Sequence, residues 1–125
     1  MKKSNNKILI IEDDEISLLL VESILDEKGI SYLSTKFGKQ AIEMCKSNPD
    51  IKMVFIDIKL PDIDGYEVTK SIRKIRPKLP LIALTACALQ HEKNRSIASG
   101  CNDHISKPID FKYLDKTIKK YFNQN

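Results

Sequence analysis

The sequence predicts an α/β domain in which a doubly wound, five-stranded parallel sheet carries helices on both faces. Three runs of four apolar residues, each followed by polar residues, indicate strands that are buried on both faces. Segments with helical spacing of apolar residues separate these runs, so that strands and helices alternate five times along the chain. The length of 125 residues fits one domain, to which we assign residues 1–125.

The first strand and helix are predicted from a change of period near the start of the chain. Lys7–Ile11 is the first aliphatic run and indicates a buried strand. From Glu15 onward apolar residues recur at helical spacing, with Asp14 suited to the N-cap and Gly29 to the end of the helix. The face expected to point inward comprises Ile16, Leu19, Leu20, Ser23, Ile24 and Glu27.

The next strand and helix are shorter and more polar. Ser31–Thr35 alternates in the manner of a half-exposed strand, and Gly38–Ser47 has the spacing of a helix. Asn48 and Pro49 end that helix because proline restricts the residue before it. Its inward side chains are predicted to be Ala41, Ile42 and Cys45.

The third strand is the stretch around which the chain is organised. Residues 53–56 form a wholly apolar run that stops at a carboxylate, Asp57. Ligands of open parallel sheets bind at the carboxyl ends of the strands, so an acid at this position is a candidate site residue. The loop that follows is predicted to be ordered by its turn-forming residues, Pro61, Asp62, Asp64 and Gly65.

The second half of the chain repeats the alternation of helices and strands. A helix over residues 66–75 is predicted to bury Val68, Ile72 and Ile75, and the aliphatic run 81–84 forms a strand that ends at Thr85. A polar helix over 89–99 and a weak strand over 102–106 follow. Asp110 caps a last helix, whose apolar stripe comprises Phe111, Leu114, Ile118 and Phe122.

The polar residues that follow the predicted strands converge on one edge of the sheet. They are Glu12 and Asp13 after the first strand, Asp57 after the third, Thr85 after the fourth and Lys107 after the fifth. Neighbouring carboxylates repel one another unless a cation lies among them, and hard oxygen ligands suit Mg²⁺. A hydroxyl and an ammonium beside them are the groups that a phosphoryl group requires.

Four segments at these strand ends, ILIIEDDEIS, MVFIDIKLPDIDGYE, PLIALTA and ISKPID, together resemble the receiver domain of two-component response regulators. The similarity extends over essentially the whole chain, and ALTA and SKPID resemble the receivers attached to hybrid sensor kinases. It implies a flavodoxin-like receiver fold and a phosphorylation-dependent signalling switch, not an enzyme that turns over an outside substrate. The implied partner is a sensor histidine kinase or a histidine phosphotransfer domain.

The resemblance implies roles for residues around the third strand. Asp57 would be the phosphoacceptor, whose carboxylate attacks a phosphohistidine of the partner. Mg²⁺ would be bound by Asp13 and Asp57, by the backbone carbonyl of Lys59, and by Glu12 mostly through water. Glu12 stands where the family more commonly has aspartate.

It also implies roles for residues of the last two strands. Lys107 would pair with Asp57 and later with the phosphoryl group, and its bond to Pro108 is expected to be cis. Thr85 would bond the phosphoryl group and move together with the ring three residues before the lysine. The family usually has tyrosine or phenylalanine there, whereas this chain has His104, for which a surface histidine is the alternative interpretation.

We considered three other functions for this sequence. A Mg²⁺-dependent phosphohydrolase with Asp57 as nucleophile would require a general acid two residues later, where Lys59 stands. A nucleotide-binding domain would require a glycine-rich phosphate loop, and the sequence has neither usual form. A zinc module could use Cys87 with His91 and Cys101 with His104, although both cysteines fit equally well as small buried residues.

Composition sets further expectations. Lys and Arg number 21 against 17 Asp and Glu, a net charge of +4, and the densest basic segment, residues 70–78, fits a solvated helix face better than a nucleic-acid surface. No apolar run is long enough for a membrane span, and three cysteines without a CxxC pair suit reduced thiols. We expect a cytoplasmic domain, either standing alone or fused to a hybrid kinase.

Overall fold

One parallel sheet of five strands, in the order β2-β1-β3-β4-β5, organises the protein. The computed structural model describes residues 5–86 and 90–122, without the side chains of His91 and Glu92. Strands and helices alternate along the chain: β1 (Lys7–Ile11), α1 (Glu15–Lys28), β2 (Ser31–Thr35), α2 (Gly38–Ser47), β3 (Ile51–Asp57), α3 (Gly65–Ile75), β4 (Leu81–Thr85), α4 (Gln90–Ser99), β5 (Asp103–Ser106) and α5 (Phe111–Tyr121). The predicted doubly wound fold is therefore confirmed.

Alternate side chains of the inner strands supply two apolar layers, one on each face of the sheet. Leu9, Val54 and Leu81 lie on the face that α2 and α3 cover. Ile10 and Phe55 lie on the opposite face, which α1 and α5 cover. All five side chains are fully buried. No helix in the described part of the chain combines the length and the apolar character of a membrane span.

The predicted helix ends agree with the structure where a side chain or a glycine sets them. The carboxylate of Asp14 accepts a hydrogen bond from the Ser17 amide at 3.2 Å, and Asp110 accepts one from the Lys112 amide at 2.9 Å. Gly29 ends α1 with φ of 69°, a left-handed conformation in which glycine has no steric penalty. These three signals are local, so the sequence alone sufficed to predict them.

The inward face predicted for α1 is wrong at Ile16, Leu19, Ser23 and Glu27, whereas Ile24 is buried as predicted. Ile16 and Leu19 are 71% and 61% exposed, while Ser17 and Val21 are buried with Ile24 and Leu25. Residues 17, 21, 24 and 25 also have helical spacing, so the apolar pattern of α1 is compatible with two faces. The sheet selects the second face because α1 packs on Ile8 and Ile10 through it.

Two other exposed side chains also depart from the predicted stripes. Phe111, expected to be inward on α5, is 49% exposed, and Ile75 at the end of α3 is 36% exposed. Both lie at a helix terminus, at the edge of the area that the helix covers on the sheet. Their helix neighbours Leu114 and Ile72 are fully buried, as predicted.

The loop after β3 is tied to two helices by its aspartates. Asp64 caps α3 by accepting from the Tyr66 amide at 2.8 Å. Asp62 caps a different helix, because its two oxygens accept from the amides of Gly38 and Lys39 at 2.8 and 3.1 Å. The start of α2, which has no side-chain cap of its own, is thus held by a residue 24 positions later.

Gly65 allows the first turn of α3 to contact the end of β3. A Cβ at this position would lie 2.5 Å from Ile58 Cα and 2.7 Å from the Asp57 carbonyl oxygen. Both are backbone atoms, so they cannot rotate away. We expect Gly65→Ala to lower the free energy of unfolding by about 2 kcal/mol, measured by urea denaturation.

Gly29→Ala is the matched control for this prediction. Gly29 has open space around its Cα and only its positive φ opposes a side chain, so its replacement should cost about 1 kcal/mol. If Gly65→Ala unfolds at the same urea concentration as Gly29→Ala or later, the close approach does not constrain the loop.

Candidate functional site

Three carboxylates meet at the carboxyl ends of β1 and β3, the pair of strands at which the strand order reverses. Glu12 and Asp13 follow β1, and Asp57 is the last residue of β3. One oxygen from each can be chosen so that all three lie within 4.8 Å of one another. Glu12 and Asp57 are buried and Asp13 is exposed, so the cluster opens to solvent on one side.

Glu12 is the most deeply buried member of the cluster. Its side chain is fully buried, and its Oε2 accepts from the Asp14 amide at 3.3 Å. Burial and the neighbouring carboxylate of Asp57 raise the pKa of Glu12 to about 8, against the opposing effect of Lys107. The protein therefore favours a proton or a cation at this carboxylate near neutral pH.

Lys107 supplies the positive charge of the site. Its Nζ lies 2.7 Å from Glu12 Oε1 and 3.3 Å from Asp57 Oδ2, and its bond to Pro108 is cis. Burial by itself lowers the pKa of Lys107, but the two carboxylates outweigh burial and raise it. The ammonium is thus charged and is shared by two acids, with Glu12 the nearer.

Two further predicted residues lie at strand ends: Lys59 is on the loop after β3, and Thr85 is the last residue of β4. Asp57 Oδ1 accepts from the Lys59 amide at 3.0 Å, which fixes the orientation of its carboxylate. Thr85 is buried at the end of β4, and its carbonyl accepts from the Lys107 amide at 2.8 Å. The structure therefore brings the ends of β1, β3, β4 and β5 to one edge of the sheet.

The cluster fits a hard divalent cation. Carboxylate oxygens are the ligands that Mg²⁺ prefers in proteins. No described group offers Glu12 Oε1 a hydrogen bond of acceptable geometry, although Lys107 lies at ion-pair distance from it. A buried carboxylate oxygen in this state, beside two further acids, is a suitable inner or outer ligand for such a cation.

The whole chain resembles one family of known proteins. It matches the response regulator receiver domain over residues 8–119. The polar-differentiation response regulator DivK of Brucella ovis is 33% identical over 118 residues, which cover 91% of this chain and 94% of DivK. The chain belongs to the response regulator receiver domain family.

Solved structures agree with this assignment. The receiver domain of the sensor histidine kinase PA1611 from Pseudomonas aeruginosa, with magnesium coordinated in its active-site cleft, is 29% identical, with a TM-score of 0.84 and coverage of 93% of this chain and 96% of that one. A chain of the Saccharomyces cerevisiae co-crystal of the histidine phosphotransfer protein Ypd1 with the Ssk1 receiver domain is also 29% identical, with a TM-score of 0.86 and coverage of 97% and 91%.

His104 lies on β5, an edge strand of the sheet. It is partly buried, and its Nδ1 is 3.9 Å from Asp103 Oδ1. A cleft of about 290 Å³ beside it is lined by Lys93, His104, Ile105, Ser106, Asp110 and Tyr113. The structure thus leaves space next to the ring, and the switch role of His104 stays a prediction.

Two of the four candidate zinc ligands, Cys101 and His104, have side chains that the structure describes. Cys101 is buried with its sulfur 3.8 Å from Thr69 Oγ1, as expected for a small core residue. Cys87 and the side chain of His91 lie outside the described residues. Among the side chains that are described, the carboxylate cluster is the one group of three or more potential metal ligands.

A contact between α3 and α4 beside the site has no sequence signal. The Arg95 guanidinium lies over the Tyr66 ring at 4.1 Å, and its Nη2 is 3.7 Å from Asp64. A cleft of about 380 Å³, which Lys59 also lines, separates the β3–α3 loop from α4. The sequence predicted only that α4 is a polar helix; the contact was missed because its two partners are 29 positions apart.

Proposed function

We propose that this receiver domain is a switch that accepts a phosphoryl group on Asp57 from a phosphohistidine of a partner protein. The observation that carries the proposal is the position of Asp57, which is buried with a second carboxylate and within 3.3 Å of the Lys107 ammonium. When a phosphoryl group approaches this carboxylate, the fixed cation beside it stabilises the negative charge of the phosphoryl oxygens in the transition state.

The reaction exchanges one bond to phosphorus for another. An Asp57 oxygen attacks the phosphorus, the P–N bond of the phosphohistidine breaks, and the released imidazole takes up a proton. The Lys59 amide orients the attacking carboxylate, and Lys107 donates to the transferred phosphoryl oxygens. The hydroxyl of Thr85, at the end of the adjacent strand, donates a further hydrogen bond to them.

Glu12, Asp13, Asp57 and the backbone carbonyl of Lys59 are the groups that would hold Mg²⁺. The ion would neutralise the negative charge of the acids and of the phosphoryl oxygens together. Three clustered carboxylates and the buried Glu12 oxygen support this ligand set. The PA1611 receiver, with magnesium coordinated in its active-site cleft, supports it by analogy.

The partner is a histidine kinase or a histidine phosphotransfer domain, and it would contact α1. Ile16 and Leu19 lie one turn apart on the first half of this helix, which begins two residues after Asp13. Both are large aliphatic side chains with more than half of their surface exposed. Apolar contact beside the acceptor would position the donor histidine over Asp57, and the Ypd1 complex of a similar receiver supports such a partnership.

The signal would leave the site through β5 and its neighbours. Bonding of Thr85 to a phosphoryl oxygen would shift the end of β4, which pairs with β5 at Thr85 and Ser106. The cleft beside His104 provides room for its ring to change position. The surface formed by α4, β5 and α5 would then bind a different partner.

Labelling with a small phosphodonor tests this function. We expect acetyl phosphate with Mg²⁺ to add one phosphoryl group to the wild-type chain, measured by intact mass spectrometry, with acetate as the leaving group. Asp57→Asn should remain unlabelled, because an amide is not a nucleophile at phosphorus. EDTA should also suppress labelling.

The outcomes separate the proposed switch from the alternatives. Labelling of Asp57→Asn equal to that of the wild type would contradict the assignment of the phosphoacceptor. Sustained release of p-nitrophenol from p-nitrophenyl phosphate, lost in Asp57→Asn, would favour the phosphohydrolase. Stoichiometric labelling without such turnover is the result expected of a switch.

A further inference from the structure

A groove lies at the opposite end of the sheet from the acid cluster. Its volume is about 470 Å³, within the range of about 300–1,000 Å³ that is usual for ligand sites. It is formed where α3 ends and where β3 and β4 begin, and its lining residues are Lys52, Ile75, Arg76, Pro77, Lys78, Leu79 and Pro80. We refer to these seven residues as the basal groove.

The charges of the basal groove are all positive. Lys52 and Lys78 are exposed, and neither forms an ion pair with a carboxylate in the described part of the chain. The nearby Asp50 is engaged by Lys7 at 2.8 Å. These ammonium groups are therefore available to an anionic partner.

Arg76 adds a cation whose position is fixed. Its guanidinium donates to the backbone carbonyls of Ile51 at 2.7 Å, Cys45 at 3.3 Å and Asn48 at 3.4 Å. Carbonyl groups satisfy its hydrogen bonds but do not cancel its charge. A fixed cation beside two exposed lysines produces a local field that attracts negative charge.

The floor of the basal groove is apolar. Ile75 is 36% exposed at the last turn of α3, although it was expected to be inward. Pro77, Leu79 and Pro80, on the loop to β4, also line the groove, and Leu79 is buried. A groove lined both by an exposed aliphatic side chain and by lysines is suited to a ligand that combines apolar and anionic groups.

We propose that the basal groove binds an acidic segment of a partner protein in which aliphatic side chains lie between carboxylates. The carboxylates would pair with Lys52 and Lys78, and an aliphatic side chain would cover Ile75 and the prolines. This chemistry complements the groove in both charge and polarity.

A peptide fits these observations better than a nucleic acid does. Bases bind through aromatic stacking or through side chains that contact their edges, and no aromatic residue lines the basal groove. A phosphate backbone would use the lysines but would leave Ile75 and the prolines without an apolar partner. The site is also independent of the proposed phosphoryl transfer, because the two lie at opposite ends of the strands.

Titration of the ¹⁵N-labelled chain with two matched peptides tests the proposal. The probe is an acetylated, amidated hexapeptide, Glu-Asp-Leu-Ile-Glu-Asp, and its control has serine in place of leucine and isoleucine. We expect the first peptide to shift the amide signals of Lys52, Ile75 and Lys78, and the serine peptide to shift them at least fivefold less at equal concentration.

Charge-reversal variants locate the binding. We expect the double variant K52E/K78E to weaken binding of the probe about tenfold, because two attractive pairs become repulsive. K112E/K116E changes the net charge equally on the exposed face of α5 and should bind as the wild type does. The amide spectrum of each variant reports its fold directly, whether or not Asp57 accepts a phosphoryl group.

Three results would overturn the proposal. The first is the absence of localised shifts with the aliphatic peptide, and the second is equal weakening in both double variants, which would indicate a general attraction of charge. The third is tighter binding of a 20-base-pair DNA duplex at the same amides, which would assign the basal groove to nucleic acid. Localised binding that only K52E/K78E weakens supports the peptide site.

Discussion

Replacement of Lys107 by alanine should slow the labelling of Asp57 by acetyl phosphate about a hundredfold. Its ammonium lies within 3.3 Å of both buried acids. Without it, charge that develops on the phosphoryl oxygens loses a fixed, partly buried donor. The rate is measured by intact mass spectrometry at saturating Mg²⁺, so that incomplete metal binding does not contribute.

The Lys107→Ala substitution should not weaken the binding of Mg²⁺, in contrast to its effect on the rate of labelling. Removal of a cation from among three carboxylates lowers the repulsion of a divalent ion, so Lys107→Ala should bind Mg²⁺ at least as tightly as the wild type in calorimetric titration. Lys112→Ala, an exposed lysine of α5, is the control for labelling. A Lys107→Ala variant that labels at the rate of Lys112→Ala would exclude a role of this ammonium in transfer.

The metal-free domain should become less stable as the pH rises from 5 to 8. Glu12 has an ordinary pKa of 4.5, which burial and Asp57 raise to about 8 in the folded state. Between these values the folded chain holds a proton that the unfolded chain has released, so increasing pH favours unfolding. The stability that this proton contributes is complete below pH 4.5 and is lost as the pH rises through about 8.

Urea denaturation in EDTA across this range measures the effect. For one proton, the free energy of unfolding changes by at most about 1.4 kcal/mol per pH unit. Glu12→Gln, which cannot ionise, should flatten the profile, and saturating Mg²⁺ should also flatten it in the wild type because the ion stabilises the carboxylate. An equal fall of stability with pH in Glu12→Gln would show that Glu12 is not the group responsible.

Features of this protein that have a local signal could be predicted from the sequence. Short apolar runs that end in polar residues predicted the strands, and the capping residues Asp14 and Asp110 predicted the starts of two helices. Parallel strands all run in the same direction, so the residues that follow them lie at the same edge of the sheet. This reasoning brought Asp57 and Lys107 together although they are 50 positions apart.

Other features could not be predicted, because two solutions are locally equivalent or because a contact links distant segments. The apolar pattern of α1 fits two faces, and only packing on the sheet exposes Ile16 and Leu19. The cap that Asp62 provides for α2 depends on the path of the loop, and the contact of Arg95 with Tyr66 depends on where α4 lies. Neither follows from the spacing of residues along the chain.

Three features follow from the sequence alone: the fold class, the edge of the sheet that carries the acids, and the identities of the charged groups there. Three others depend on the folded chain: Glu12 is fully buried, Lys107 lies nearer to it than to Asp57, and three cations border a groove with an apolar lining at the other end of the sheet. Strands and helices follow from the spacing of residues that are neighbours in the chain, and the parallel direction of the strands sets the edge at which the following residues meet. The burial of a residue depends on all the elements that pack around it. Burial in turn sets the strength of each charge interaction there.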